Sequence, residues 1–293
     1  MFPGDEGVRA RSAAARVARR DDRTPEEISM LTTQYVPGVP NWLDLGAPDI
    51  DAAVAFYGGV FGWTFRSAGP DAGGYGFFEL GGKTVAGAGP LTEEGASAAW
   101  TVHFHSTDVD ALAKTVEQAG GTVRFGPCDV FTAGRLAGFT DPAGAEFAVW
   151  QPGDNQGMDV VGASNAMCWT ELYTTDAAAA KDFYRTVFGW ETVDNAMGEN
   201  VVYTVASPAG TDPNGDAGHA GIMQLPPGNL AAGSTPEWHP YFAVEDCDAT
   251  AAASTERGAT VVIPPEDAEG IGRLAMLLDP FGAPYALITP SPR

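Results

Sequence analysis

His103 and His105 stand one residue apart, which puts two imidazoles on one face of any strand that carries them. With a carboxylate from Asp44 or Glu146 on the same surface, they would form a two-histidine, one-carboxylate set suited to non-heme iron or another divalent ion. Without a metal the same four groups would act as acid and base, or line a binding pocket. Trp42, Trp150, Trp169 and Tyr241 offer flat faces on which a planar organic molecule would stack. Thr101, Glu171 and His239 would fix its polar groups. His219 falls in a Gly-, Asp- and Pro-rich stretch and is expected at the surface. Cys128, expected in a loop, has no obvious base partner for nucleophilic work, and Cys168 should face away from any cavity that Trp169 faces.

These residues depend on the elements that present them, and the sequence repeats those elements. Asn41 to Asp49, Phe56-Tyr57 and Val60-Phe61-Gly62-Trp63 recur 127 residues later as Cys168 to Asp176, Phe183-Tyr184 and Val187-Phe188-Gly189-Trp190. Trp100, Phe104, Asp108, Gly120, Arg135, Asp141-Pro142 and Gly144 recur 138 residues later as Trp238, Phe242, Asp246, Gly258, Arg273, Asp279-Pro280 and Gly282. Such self-similarity marks two halves of one design in tandem. Within the first half, the alternation over 42–48 predicts a strand, Asp49 caps a helix over 50–61, and Gly62 stops it. Strands follow at 63–67, 75–80 and 83–88. The next quarter repeats that order, with a strand at 100–106, a helix at 108–119 and strands near 122–125, 134–140 and 145–151. The unit is βαβββ, used four times in an α+β chain.

The expected division is an N-terminal arm or misplaced start over 1–36, a first domain over 37–152, a linker over 153–164 and a second domain over 165–290. The chain has 293 residues, 16 Lys and Arg against 38 Asp and Glu, and a net charge of -22. Residues 1–29 hold six Arg and six acidic residues, so the body carries the whole excess. That charge repels phosphate backbones and anionic lipid, which argues against nucleic acid and membrane as partners. No apolar run approaches a bilayer span, and the Arg-rich start lacks the apolar segment of a secretory signal. Three cysteines without CxxC spacing argue against a disulfide framework or structural zinc and fit a reducing cytoplasm.

The tandem βαβββ pattern, the Phe-Tyr-x-x-Val-Phe-Gly-Trp helix ends and the Asp-Pro-x-Gly turn before each half's last strand resemble the vicinal oxygen chelate superfamily. More narrowly they resemble its two-domain actinobacterial members related to glyoxalase, bleomycin-resistance proteins and dioxygenases. The resemblance covers about residues 37–290. It implies two half-open barrels, each with a concave face for ligand and helices on the convex face. Strand alternation then aims Trp42, Asp44, Thr101, His103, His105, Glu146, Ala148 and Trp150 into the first barrel. It aims Trp169, Glu171, His239, Tyr241, Ala243 and Ala286 into the second.

In metal-using members of the superfamily, ligands stand near the start of each unit's first strand and in each unit's last strand. Carried over, those positions fall on Trp42, Thr101 and Ala148 in the first half and on Trp169, His239 and Ala286 in the second. The remaining position lies within 83–88 and 219–225. An indole, a hydroxyl and a methyl do not make a metal-ligand set, so no cofactor is expected. The leading expectation is a protein that binds a small metabolite or drug-like molecule in aromatic and acidic cavities. The alternative is a lyase or dioxygenase-type enzyme holding one divalent ion at a displaced site of His103, His105 and Glu146 with Asp44. The tandem repeat reproduces within one chain what single-domain relatives make by pairing, so the expected state is a monomer or a homodimer.

Overall fold

In a computed structural model of the protein, residues 31–91, 95–197, 201–212, 217–231 and 233–291 are described. The first half runs through β1 (Pro40–Ala47), α1 (Ile50–Phe61), β2 (Thr64–Ser67), β3 (Gly76–Leu80), β4 (Lys83–Pro90), β5 (Ala99–His105), α2 (Val109–Gln118), β6 (Thr122–Val130), β7 (Gly134–Thr140) and β8 (Glu146–Pro152). The second half runs through β9 (Met167–Thr174), α3 (Ala177–Phe188), β10 (Glu191–Ala196), β11 (Val202–Ser207), β12 (Ala220–Gln224), α4 (Pro227–Ala231), β13 (Glu237–Ala243), α5 (Cys247–Glu256), β14 (Thr260–Ala268), β15 (Gly272–Leu278) and β16 (Pro284–Pro290). The βαβββ order is present four times, with α4 added between β12 and β13. Of the expected N-terminal arm, residues 1–30 lie outside the described residues. Its last part is tied to the body: Leu31 is buried and donates its N–H to the Cys168 carbonyl, and the Tyr35 hydroxyl donates to the Met158 carbonyl.

Each half forms one eight-stranded sheet, in the orders β2-β3-β4-β1-β5-β8-β7-β6 and β10-β11-β12-β9-β13-β16-β15-β14. Parallel pairing of β1 with β4 and of β5 with β8 closes each unit, and antiparallel pairing of β1 with β5 joins two units into a sheet. The helices begin where a short acid can cap them. Asp49, Asp108, Asp176 and Asp246 each accept a hydrogen bond from the backbone N–H three residues on. Gly62 and Gly189 end α1 and α3 with φ of 71° and 72°, a conformation that costs glycine nothing.

Strand β6 continues to Val130, beyond the expected end near 125, so Cys128 lies in a strand and not in a loop. The extension is possible because β6 is an outer strand that absorbs irregularity through register shifts around Gly126-Pro127.

One aromatic core lies between the convex faces of the two sheets and draws on both halves. Phe61 packs on Phe242 at 5.0 Å, and Phe104 on Trp238 at 5.1 Å. Two reciprocal sets of hydrogen bonds lock it. The Tyr57 hydroxyl receives the Trp100 indole N–H at 3.0 Å and donates to Asp279 Oδ2 at 3.0 Å. The Tyr184 hydroxyl receives the Trp238 indole at 2.9 Å and donates to Asp141 Oδ2 at 3.1 Å. In each case the other carboxylate oxygen holds its own Asp-Pro turn through backbone N–H groups. Trp63 and Trp190 likewise donate across the halves, to the carbonyls of Asn165 and Gly38. Burial raises the pKa of Asp141 and Asp279 against the opposing pull of those donors.

His219 is buried against the Trp190 ring, 4.9 Å between centroids, and not at the surface. The turn-rich composition of its surroundings describes residues before it, whereas His219 itself leads directly into β12 behind the sheet. Burial pushes its pKa down to about 3.

Two outcomes are expected. Replacing Tyr57 or Tyr184 by Phe strands a buried carboxylate and an indole, and should cost about 1–3 kcal/mol in urea unfolding. An unchanged midpoint would remove the clasp from the account. As pH falls below about 6.5, the unfolded chain protonates His219 first, so stability should decline by up to about 1.4 kcal/mol per unit on that account until the pH reaches the folded value. His219→Phe should flatten the decline of melting temperature between pH 6.5 and 4.5.

Candidate functional site

The concave face of the first half is built on β1 and β5, whose register sets Trp42 opposite His103 and Asp44 opposite Thr101. Asp44 is the hub. Its Oδ1 accepts from the Trp42 indole at 3.0 Å and from the Tyr75 hydroxyl at 2.5 Å, and its Oδ2 lies 3.1 Å from His103 Nε2. Burial pushes the Asp44 pKa up, but the His103 hydrogen bond and charge, with Tyr75 and Trp42, outweigh it and leave the carboxyl below its ordinary value. The Asp44 side chain is 25% exposed, while that of His103 is almost fully covered. Burial and the neighbouring carboxylate hold Tyr75 protonated as a donor.

The hub is cradled by a glycine. Gly87 on β4 is paired with Asp44, and any side chain there would collide with the Tyr75 hydroxyl and the Asp44 carboxylate. Phe77 extends the wall, edge-on to Trp42 at 6.1 Å, with the Arg66 guanidinium 4.5 Å above its ring. His105 lies one row along, paired with Trp150, and burial lowers its pKa. Trp150 is anchored by its indole N–H to the Asn155 carbonyl at 2.9 Å. Thr101 is half-buried beside Asp44.

Glu146 does not join this group. It heads β8 before pairing with β5 begins at Ala148, so its side chain projects outward, 57% exposed, and meets Arg124 at 2.8 Å. Strand alternation names the face of a residue, not whether the strand end still curves over the cavity.

The second half repeats the design with different groups. The Trp169 indole donates to the Tyr203 hydroxyl at 2.9 Å, which donates to Glu171 Oε2 at 2.9 Å above Gly221. Tyr173 and Tyr241 complete the cluster, their hydroxyls 3.3 Å apart. Burial raises the Glu171 pKa, against the pull of hydrogen bonds from Tyr173 and Tyr203. One barrel therefore carries an ionised carboxylate paired with histidine, and the other a carboxyl biased toward its neutral form among tyrosines. His239 is buried, its Nε2 2.9 Å from Glu237 Oε1, beside a cavity of about 150 Å³ that Met276 and Pro284 also line. Another cavity, of about 250 Å³, lies at the end of β5 among Gly38, His105, Leu112 and Phe188.

Register settles the remaining family ligand position. Ala148 is paired with His103, two residues beyond Thr101, and by the same step Gly87 is paired with Asp44, two beyond Trp42. In the second half the corresponding residues are Ala286 and Gly221. The eight positions thus hold Trp42, Gly87, Thr101 and Ala148, then Trp169, Gly221, His239 and Ala286. Apart from the single imidazole they offer no metal-binding nitrogen or carboxylate, and a tyrosine hydroxyl fills the space above each glycine. These residues do not fit the superfamily's metal. Among the described residues no group of three or more His, Cys, Asp or Glu gathers around a common point.

Two sheets of paired βαβββ units with convex faces joined define the class: a tandem glyoxalase-like protein. Residues 40–149 match the model of the Glyoxalase/Bleomycin resistance protein/Dioxygenase superfamily, and residues 169–288 match that of the Glyoxalase-like domain. The chain is 40% identical over 274 residues to the anthracycline biosynthesis protein DnrV of Streptomyces peucetius, covering 87% of this chain and 94% of that one. It belongs to the glyoxalase/bleomycin resistance protein/dioxygenase superfamily. Solved structures with the same fold include the Mn(II)-bound glyoxalase of Novosphingobium aromaticivorans, with a TM-score of 0.56, 19% identity and coverage of 86% of this chain and 83% of that one. The 2,2',3-trihydroxybiphenyl 1,2-dioxygenase of Sphingomonas wittichii gives a TM-score of 0.58 at 14% identity, with 87% and 91% covered.

The structure brings the expected Trp42, Asp44 and His103 together and adds Tyr75, Phe77 and Gly87, which strand alternation did not single out. The Tyr203 counterpart of Tyr75, 128 residues on, was the available signal. Gly87→Ala should force Tyr75 off Asp44 and cost about 1–3 kcal/mol, read as a lowered melting temperature. An unshifted melting point would mean that the cradle is looser than the contacts require.

Proposed function

We propose that this protein binds a small, planar organic molecule carrying a positive charge or hydrogen-bond donor on the concave face of its first half, without the superfamily's metal. The observation that carries this reading is the Asp44–His103 pair, held by Trp42 and Tyr75. An ionised carboxylate on a partly exposed side chain attracts a cationic or donor group, while the half-buried Phe77, backed by the buried Trp42, offers apolar surface beside it. The Streptomyces relative has anthracycline biosynthesis in its name, and anthracyclines are planar polycycles bearing an amino sugar, which is the chemistry this face would accept. No metal is required for that role.

The same pair supports a second reading, metal-free proton transfer. With Nε2–H of His103 directed to Asp44, Nδ1 is left as the acceptor nitrogen; it is buried and has no protein partner, so a bound molecule must displace the side chains that cover it. A bound substrate with an acidic C–H or O–H would then be the reactant.

Titration with doxorubicin, followed by tryptophan fluorescence, tests the binding reading. Asp44→Asn and His103→Ala should each weaken binding by about 10-fold or more, the scale of losing a charged hydrogen bond. Chelator treatment should leave the affinity unchanged. Unaltered affinity in Asp44→Asn, or dependence on a tightly held metal ion, would overturn it.

A further inference from the structure

The two barrels share a backbone plan but differ at three positions that face each other across the interior. On the first strand of each half, Gly46 corresponds to Tyr173 at the 127-residue offset. On β5 and β13 His103 corresponds to Tyr241, and on β7 and β15 Gly138 corresponds to Met276, both at the 138-residue offset. In the second barrel the three large side chains meet: the Tyr173 hydroxyl lies 3.3 Å from that of Tyr241 and 3.7 Å from the Met276 sulfur. They belong to a separate apolar cluster with Trp169, Leu274, Ala286 and Ile288, on the concave side and apart from the shared core. A cavity of about 150 Å³, lined by His239, Met276 and Pro284, lies beside this cluster.

The first barrel has no such bridge. Its counterparts are two glycines and an imidazole. Over Gly46 lies the end of the Leu91 side chain, and over Gly138 lies the ring of Phe125, 41% exposed on the outer strand β6. Phe125 comes from the outer strand β6 and Leu91 from the turn after β4, and no hydrogen bond joins the two as one joins Tyr173 to Tyr241. In the second barrel an entering ligand would have to break a hydrogen-bonded contact among three buried or half-buried groups.

We infer that ligand enters the first barrel alone, and that the Tyr173–Tyr241–Met276 bridge turns the second barrel into a closed structural support. This rests on the ligand-binding reading above and adds the number and place of the sites. The ligand admitted is one that reaches Asp44 past Phe125 and Leu91: flat, aromatic and tipped with a cation or donor.

Native mass spectrometry of the full chain with doxorubicin counts the sites, and hydrogen exchange on the unmodified protein locates them. One ligand per chain is expected, with added protection in β1, β4 and β5 and none in β9, β12 and β13. Gly138→Met, which copies the second barrel's bulk into the first, should weaken binding at least 10-fold, whereas Met276→Gly should change it less than twofold. Two ligands per chain, or protection confined to β9, β12 and β13, would overturn this inference while leaving a binding protein. No binding at all would overturn both readings. Since hydrogen exchange uses the native chain, misfolding of the Gly138→Met variant does not rescue the idea.

Discussion

Everything on the outer faces depends on the buried exchange between Tyr57 and Asp279 and its mirror between Tyr184 and Asp141. Each tyrosine comes from the first helix of one half, and each aspartate from the last turn of the other. The carboxylate is costly to bury, and it is tolerated because its own turn supplies backbone donors to one oxygen and the opposite half supplies a hydroxyl to the other. Neither half satisfies its own aspartate. The convex faces are therefore obliged to meet in one alignment, and the indoles of Trp100 and Trp238, each donating to a tyrosine, fix the depth at which they do so.

With the convex faces committed, divergence between the halves is confined to the concave ones. Both retain a Trp, an acid, a Tyr and a Gly in the same relation, and in neither do the residues at the superfamily's ligand positions fit its metal. The differences are in charge and volume. Asp44 with His103 makes a charged, polar floor, while Glu171 sits among tyrosines that favour its neutral form. Duplication gave two copies of one frame, and the symmetric core allows one copy to change its lining without disturbing the other.

Much of this was legible in the sequence because the repeat repeats its landmarks. Helix starts at Asp49 and Asp176, stops at Gly62 and Gly189, and the inward aim of Trp42, Asp44 and His103 all follow from spacing and alternation. The misses share a cause. Tyr75, Gly87 and Tyr203 lie after connections whose lengths differ between units, so the offset that aligns the first strands no longer holds there. Glu146 keeps its face but not its company, because alternation is blind to where a strand leaves the sheet. The cross-half bonds of Asp141 and Asp279 were read as turn chemistry, which they also perform. A local motif cannot reveal that its second oxygen serves a residue more than 40 or 220 positions away.

The outer strands deserve a last consequence. A half-open barrel ends in two unclosed margins, and a bare margin offers unpaired N–H and C=O groups to any passing strand. One margin of each sheet is β6 or β14, and each of these carries proline within it, Pro127 in the first and Pro264-Pro265 in the second, where the ladder register also shifts. Proline has no N–H to give, and a bulged strand presents no regular row of acceptors. On the opposite margin of the first sheet, β2 is four residues long. The open margins of the two sheets are thus guarded against being sewn shut by another polypeptide.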